Sequence, residues 1–411
     1  MSNDNFSGAF MKSISPVDPA ELKAQLRLPF LDGLRAVAAL WVVLGHCHLF
    51  AYGWNSHQSI WTKVINTLLY LHLGVVVFLV LSGFCLALPV LRNKNRLTAG
   101  VLTFFKARAK RILPPYFAIL CLILLINFFI PLGTWGRHPI GLTPTISWEV
   151  LAVNFSLMQD FYPQFNVING PFWSIATEWH LYFFFPLLVF FLRKFGALIA
   201  FVLSCILAGA IVWLSSHPPQ FVSNLQMTIM TPSYFLFLFV FGIFAAWLAF
   251  GEGYLQRRRK QWLILLPLFA AALVWFVSLM NTYAIKDAAS ATRFAEQAQT
   301  IDIVFAVLVS IALIWIAGRA PHSTIRRLLE NKALTKIGHF SYSLYLIHIP
   351  ILAITNHVIE QMHLASNLTH LHFAILVVVG TGLSLVFANI FCKIFESGLW
   401  WRWIAGFKNK V

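Results

Sequence analysis

Two ionisable residues share one face of an apolar segment near the start of the chain. Arg35 and His46 are eleven residues apart in LDGLRAVAALWVVLGHCHLF. In a helix that spacing is about three turns plus 20°, and about 16 Å along the axis. A titratable group inside a long apolar helix is costly unless it is paired or functional. Since histidine is the commonest general base, His46 is a candidate base; the alternative is a histidine hydrogen-bonded between helices.

A carboxylate lies inside a second apolar segment, GPFWSIATEWHLYFFFPLL, at Glu178. A lone carboxylate in hydrocarbon must be protonated, paired or placed in a water-filled cavity. His46 is the partner that we expect, because a carboxylate fixes the tautomer of an imidazole and raises its basicity. A purely structural Glu–His pair that joins two helices is the alternative.

Two arginines three residues apart, Arg108 and Arg111, precede the apolar part of KARAKRILPPYFAIL. They share a helical face, and guanidinium groups bind phosphates with two parallel hydrogen bonds. The pair therefore suits a phosphorylated ligand that approaches from the cytoplasm. The alternative is that these arginines only mark the inner end of a helix, where basic residues are common.

The composition indicates which elements must position these residues. Hydrophobic residues make up 59% of the 411 residues and charged residues 11%, against roughly 25% charged in soluble domains, and the mean hydropathy is +0.76. Apolar runs of spanning length recur along the chain. They predict an all-α, polytopic membrane helical bundle of about ten transmembrane helices, near residues 34–53, 69–91, 112–131, 172–192, 196–215, 232–250, 261–280, 299–318, 339–361 and 370–395.

The basic residues give this bundle an orientation. With the N-terminus inside, 26 of the 30 lysines and arginines fall in inner segments and 4 in outer ones. By the positive-inside rule both termini are cytoplasmic, and the net charge of +16 is an orientation signal rather than a nucleic-acid signal. We predict a cytoplasmic segment at 1–28 without a cleaved signal peptide, a membrane domain at 29–398, and a Trp-rich cytoplasmic interfacial tail at 399–411.

Weaker signals lie elsewhere. Ser82–Gly83 inside an apolar run favours close helix packing. The segment SYSLYLIH ends at His348, which is more often a packing histidine than a catalyst. The five cysteines lie in or beside apolar runs without metal-ligand spacing, so we predict neither a disulfide framework nor a metal site.

Together these residues resemble the acyltransferase-3 family of bacterial integral-membrane acyltransferases. The family's Arg-x10-His, Arg-x-x-Arg and Trp-Ser…Glu patterns correspond to Arg35 with His46, Arg108 with Arg111, and Trp173–Ser174 with Glu178. The Ser-Gly-Phe and SYSLYLIH segments also match, over about residues 29–400. A Glu-x-Pro element that often follows the last helix is missing its proline, and we assign no role to Glu396.

The resemblance implies an O-acyltransferase in the bacterial cytoplasmic (inner) membrane. It would move an acyl group, acetyl in our expectation, from cytoplasmic acyl-coenzyme A to a hydroxyl of a surface glycan or lipid-linked saccharide outside, with no tightly bound cofactor and no metal. His46 would be general base or acyl-carrying nucleophile, Glu178 would orient it, Arg35 would bind the donor or anchor its helix, and Arg108 and Arg111 would hold the coenzyme. We assign substrate binding to Ser82, Trp173, Ser174, Tyr345 and His348.

Three alternatives stay open. A glycolipid or polysaccharide transporter or flippase also combines many helices with intramembrane ionisable groups, although such proteins usually contain internal repeats. Another class of membrane-bound O-acyltransferase would lack the Arg-x10-His spacing. A non-catalytic membrane scaffold would leave Glu178 without an explanation.

Overall fold

The secondary structure of the described chain is helical throughout. The computed structural model describes residues 28–53, 70, 72–129, 146–220, 222, 230–251, 254–282, 288–320, 322–364 and 368–396. Of the predicted N-terminal segment it includes only Leu28, and the predicted tail at 399–411 lies outside the described residues.

Within the described residues, ten apolar helices correspond to the ten predicted spans. Nine are long and apolar enough to cross a membrane, and the tenth, Met230–Phe250, meets this description over a shorter stretch, Tyr234–Phe250. In chain order the helices are α1 (Pro29–Tyr52), α2 (His72–Arg92), α3 (Gly100–Phe129), the short α4 (Trp148–Phe155), α5 (Phe172–Phe195), α6 (Ala197–Ser216), α7 (Met230–Phe250), α8 (Tyr254–Thr282), α9 (Ala288–Ala317), the short α10 (Thr324–Leu329) and α11 (Lys332–His339), α12 (Ser341–Gln361), α13 (Thr369–Ile375) and α14 (Thr381–Phe391).

The last apolar helix is built from several pieces. α13 passes through a π-helical turn at Leu376–Gly380 into α14, which ends in a second π-helical turn at Cys392–Glu396. Glu396 accepts a 3.0 Å hydrogen bond from the backbone N–H of Ser343 and another from the Ser343 hydroxyl. This carboxylate, to which we assigned no role from the sequence, therefore ties the end of the chain's last described helix to the start of α12.

Backbone chemistry explains where α1 and α5 end. α1 begins at Pro29, whose fixed φ suits the first helical turn. It stops at Gly53, and α5 stops at Gly196; both glycines have positive φ, 67° and 78°, a conformation that favours glycine.

α2 lies at the centre of the bundle. Within its apolar stretch 78% of the residues are buried, against 22% in α6 and α8, and it packs against α1, α5, α7 and α9. The α2–α7 crossing has glycine on both helices: a Cβ on Gly83 would overlap the Phe239 carbonyl, and one on Gly242 would overlap the Val80 carbonyl. The close packing predicted at Ser82–Gly83 is confirmed.

Candidate active site

A cavity of about 270 Å³ runs inside the bundle. Its α2 wall extends from Val75 to Pro89, which is about 21 Å of helix. Residues from α1, α3, α5 and α12 complete the wall. The polar and charged lining residues are Arg35, Ser82, Cys85, Arg108, Arg111, Ser174, Glu178, Tyr182, Ser341, Tyr342 and Tyr345.

Three arginines meet at one end of this cavity, which we call the arginine end. Arg35 comes from the first turns of α1 and forms a 2.8 Å ion pair with Asp32, and its second terminal nitrogen lies 3.1 Å from the Cys85 Sγ. Arg108 and Arg111 come from α3, and the Nε of Arg108 is buried without a hydrogen-bond partner. The structure thus brings together the two basic patterns that the sequence singled out separately.

Glu178 lies in the same cavity but does not pair with His46. Its Oε1 accepts a 2.8 Å hydrogen bond from the Ser82 hydroxyl and a 2.6 Å bond from the Tyr182 hydroxyl, one turn further along α5. The expectation that Glu178 orients His46 is therefore wrong. The cause is geometric: Glu178 faces α2 and the cavity, whereas His46 faces α12.

His46 is instead paired with a second histidine. Its Nδ1 lies 2.8 Å from the Val42 carbonyl and 3.2 Å from the Nε2 of His348. His348 is fully buried, and its own Nδ1 lies 3.2 Å from the Leu344 carbonyl. The His348 that the sequence favoured as a packing residue is the direct neighbour of the candidate base.

The backbone partners determine the tautomers of both rings when they are neutral. A carbonyl can only accept, so each Nδ1 carries the proton, and the Nε2 of His348 can accept from His46. The Nε2 of His46 then keeps its lone pair, and no hydrogen-bond partner for it lies within the described part of the chain. That nitrogen is the one able to take a proton.

A layer of polar and aromatic side chains closes the cavity away from the arginines. The Tyr345 hydroxyl donates a 2.7 Å hydrogen bond to Ser174, and the Tyr345 ring lies 5.8 Å from that of His348. Trp173 stacks on His72, with ring centroids 5.3 Å apart and planes 10° apart. We call this layer the histidine belt; its members are His46, His348, Tyr345, Ser174, Trp173 and His72.

The cavity and the belt meet at Tyr345 and Ser174. Both residues line the cavity, whereas the lining does not include His46, His348 or Trp173 among the described residues. Of the predicted substrate-binding set, Ser82, Ser174 and Tyr345 therefore face the cavity, and Trp173 and His348 lie behind its wall. His46 also lies behind the wall, with 5% of its surface exposed.

Two further carboxylate–histidine pairs were missed by sequence reasoning. The Nδ1 of His72 lies 2.7 Å from Asp302, and that of His180 lies 2.8 Å from Asp160. Asp302 was detectable, because an acidic residue inside a predicted span is itself a functional signal. In the part of the chain that the structure describes, no group of three or more His, Cys, Asp or Glu side chains gathers with metal-site geometry.

Bundle and cavity together define a multi-pass membrane protein with a cationic intramembrane chamber. The chain belongs to the acyltransferase-3 family, whose model, described as an acyltransferase domain, matches residues 28–389. It is similar to acyltransferase MdmB of Streptomyces mycarofaciens, with 26% identity over 333 residues that cover 79% of this chain and 78% of MdmB.

A second relative is longer than this chain. The O-acetyltransferase OatA of Staphylococcus aureus strain NCTC 8325 is 27% identical over 345 residues, 80% of this chain and 51% of OatA. The matched region thus spans about half the length of OatA. No solved structure matches the chain. The resemblance to this family noted in the sequence is confirmed, and the chain is a membrane acyltransferase.

Proposed function

We propose that this protein transfers an acetyl group from acetyl-coenzyme A to a hydroxyl of a saccharide, across the cytoplasmic membrane of a bacterium. The arginine end faces the cytoplasm, in agreement with the positive-inside rule, and the histidine belt faces the acceptor. The observation that carries the proposal is the cavity that joins Arg35, Arg108 and Arg111 to Glu178 and ends against Tyr345.

The arginine end suits the donor. Coenzyme A carries several phosphate charges, and three guanidinium groups around one mouth offer planar, charge-assisted donors for them. The buried Nε of Arg108, which lacks a partner, is a donor ready for such an oxygen. A narrow cavity along α2 then accommodates the extended thioester arm, which brings the acyl group towards the belt.

His46 is the residue that we assign to proton transfer. Its Nε2 takes the proton of the acceptor hydroxyl while the oxygen attacks the thioester carbonyl. The carbon–sulfur bond breaks, and the leaving thiolate takes the proton back from the imidazolium as free coenzyme A thiol. His348 acts as a positioning residue, because its Nε2 accepts from the Nδ1–H of His46 and stabilises the cation that forms.

Tyr345 stands between the thioester and this base. It lines the cavity on one side and contacts His348 on the other. The bond from Tyr345 to Ser174 must open for the acyl group to pass, so we assign these two residues to controlling that passage. Coupling the opening of this passage to acceptor binding would keep water from the thioester until an acceptor is present.

Glu178 receives a different role from the one expected. It offsets the charge of the arginines and holds the hydroxyls of Ser82 and Tyr182 at mid-cavity. Both hydroxyls lie on the path of the thioester arm, so this small network would position the arm rather than activate the base.

The names of the relatives support an oxygen acceptor and an acetyl group: OatA is named an O-acetyltransferase and MdmB an acyltransferase. A saccharide acceptor such as a surface glycan or a lipid-linked sugar is our extension from the orientation of the bundle, since the positive-inside rule places the belt towards the outer side of the membrane. Membrane lipids surround the bundle as solvent, and nucleic acid has no place in this proposal.

Purified protein in proteoliposomes tests the function. Acetyl-coenzyme A is supplied on the side of the arginine end and a glycan extract from a deletion strain on the other. We expect free coenzyme A to be released in proportion to acetylated glycan, measured by mass spectrometry. Movement of glycolipid without coenzyme A release would establish the transporter alternative and overturn the proposal.

A further inference from the structure

A buried carboxylate holds one histidine of the belt in a fixed state. The Nδ1 of His72, in the first turn of α2, lies 2.7 Å from Oδ2 of Asp302 on α9, and the Tyr234 hydroxyl of α7 donates to the same oxygen over 3.0 Å. Asp302 is 0% exposed, and its Oδ1 is buried without a hydrogen-bond partner. The carboxylate accepts from the Nδ1–H, so in the neutral ring the lone pair of His72 lies on Nε2.

The ring of His72 is fixed by aromatic neighbours as well. Trp173 stacks on it at 5.3 Å, and Tyr70 at 5.8 Å with planes 24° apart. The side chain still exposes 22% of its surface, and within the described ranges no residue hydrogen-bonds its Nε2. In its neutral form this imidazole edge, oriented by its contacts, offers a hydrogen-bond acceptor to a ligand.

Packing α2 against α9 does not by itself require this arrangement of His72, Asp302 and Tyr234. A carboxylate oxygen buried without a partner is costly, and an apolar contact between α2 and α9 would avoid that cost. The arrangement also lies beside the cavity: Val75, one turn along α2 from His72, and Ser174, next to Trp173, both line it. His72 therefore lies at the cavity end that is farthest from the arginines.

We propose that His72, held by Asp302 and Tyr234 beside Trp173, is a subsite that binds a hydroxyl of the polyhydroxylated acceptor. The Nε2 accepts a hydrogen bond from a sugar hydroxyl next to the one that is acylated, and the aromatic rings contact the apolar C–H surface of the sugar. This inference rests on the proposed function, but it assigns acceptor recognition to residues separate from the base.

Two substitutions of His72 separate binding from packing. In His72→Asn the amide lies where Nδ1 was, so the bond to Asp302 is retained and the Nε2 acceptor is lost. In His72→Gln a polar group is retained near Nε2, and the bond to Asp302 is lost. The proposal expects Asn to impair acceptor binding more than Gln, whereas a packing role expects the reverse.

The measurement is acetyl transfer to the deletion-strain glycan extract by purified protein in nanodiscs, at saturating acetyl-coenzyme A. For His72→Asn we expect the half-saturating extract concentration to rise about tenfold, as for one lost hydrogen bond to a fixed group. The maximal rate should stay within about twofold of wild type.

His180→Asn is the matched control, since its pair with Asp160 has the same chemistry in another part of the molecule. It should leave the half-saturating concentration unchanged, and thermal unfolding of every variant is measured alongside. If His72→Asn has the half-saturating concentration of wild type and His72→Gln has a raised one, the proposed subsite is overturned. If wild-type protein releases coenzyme A but never acetylates the extract, the saccharide acceptor fails and the subsite with it; if it releases no coenzyme A, the proposed function fails first.

Discussion

The arginine end of the cavity and the histidine belt handle polar groups in opposite ways. At the arginine end three cations face one chamber, and Arg108 keeps a donor nitrogen without a partner among the described residues. In the belt the ring nitrogens at Nδ1 are occupied by backbone or carboxylate oxygens, and the Nε2 positions of His46 and His72 have no hydrogen-bond partner in the part of the chain that the structure describes. The first region is suited to bind a charged ligand, and the second to transfer a proton at His46 and to form a single hydrogen bond at His72.

Removing His46 tests the belt and should give the largest effect. His46→Ala should lower acetyl transfer by about 100- to 10,000-fold, the usual contribution of a general base. The amount of the variant in the membrane should stay normal, which immunoblotting of membranes checks.

His48→Ala is the control for His46→Ala, since His48 is buried on the same helix but stacks on Tyr52 instead. Equal losses in the two variants would remove His46 from the mechanism. A covalent acyl-His46 species trapped without acceptor would make it the nucleophile instead.

Removing two cations tests the arginine end. Arg108→Gln with Arg111→Gln should raise the half-saturating acetyl-coenzyme A concentration by about 100-fold, because two charge-assisted hydrogen bonds to phosphate are lost. The steady-state rate as a function of donor concentration measures this.

The matched control is Lys106→Gln with Lys110→Gln, which removes the same charge from exposed positions of the same helix. It should leave the donor affinity close to wild type. If both double variants weaken the donor alike, the arginines serve only as orientation signals.

Glu178→Gln decides to which of the two regions this carboxylate belongs. As a counter-charge in the cavity, its loss should strengthen binding of the anionic donor a few-fold and slow transfer much less than His46→Ala does. As a partner of the imidazole it would reproduce the His46→Ala loss without any gain in donor affinity. Donor titration and maximal rate, measured on the same preparation, distinguish the two results.

The smallest expected effect concerns the segment between α4 and α5. Burial raises the pKa of Asp160. Its contribution to stability is therefore fully present below the ordinary aspartate pKa of about 3.9 and is lost as the pH rises through the raised value. Thermal unfolding from about pH 4 to pH 7 should show this loss in wild type and not in Asp160→Asn.

Glu149 in the same region supplies a control of opposite sign. A hydrogen bond from Ser147 lowers the pKa of Glu149. Its small contribution is present above the ordinary glutamate pKa and is lost as the pH falls through the lowered value. Glu149→Gln should therefore affect the acidic limb of the stability curve, and an identical response in both variants would contradict the assignment.

The helices were predictable because each spanning segment forms its backbone hydrogen bonds within itself and is recognisable from the length of its apolar run. The shared face of Arg108 and Arg111 was predictable as well, since a helix fixes the relative directions of residues within it, and both line the cavity. Arg35 lines the cavity too, whereas His46, about three turns along the same helix, is not part of its lining. Pairing between helices does not follow in this way. Glu178 was given the wrong partner because a sequence indicates depth but not which helices are neighbours. His72 and Asp302 are 230 residues apart, and only the packing order of α2 and α9 brings them together.

The close contact between α2 and α7 at Gly83 and Gly242 fixes the position of α2 between the two ends of the cavity. The first turn of α2 carries His72, and later turns carry Ser82 and Cys85, which line the cavity. Because α7 is pressed against it backbone to backbone, α2 cannot slide without separating from its neighbour. In the proposed reaction, the distance that the acyl group covers between donor and acceptor is thus set by one helix, and substrates must fit that length.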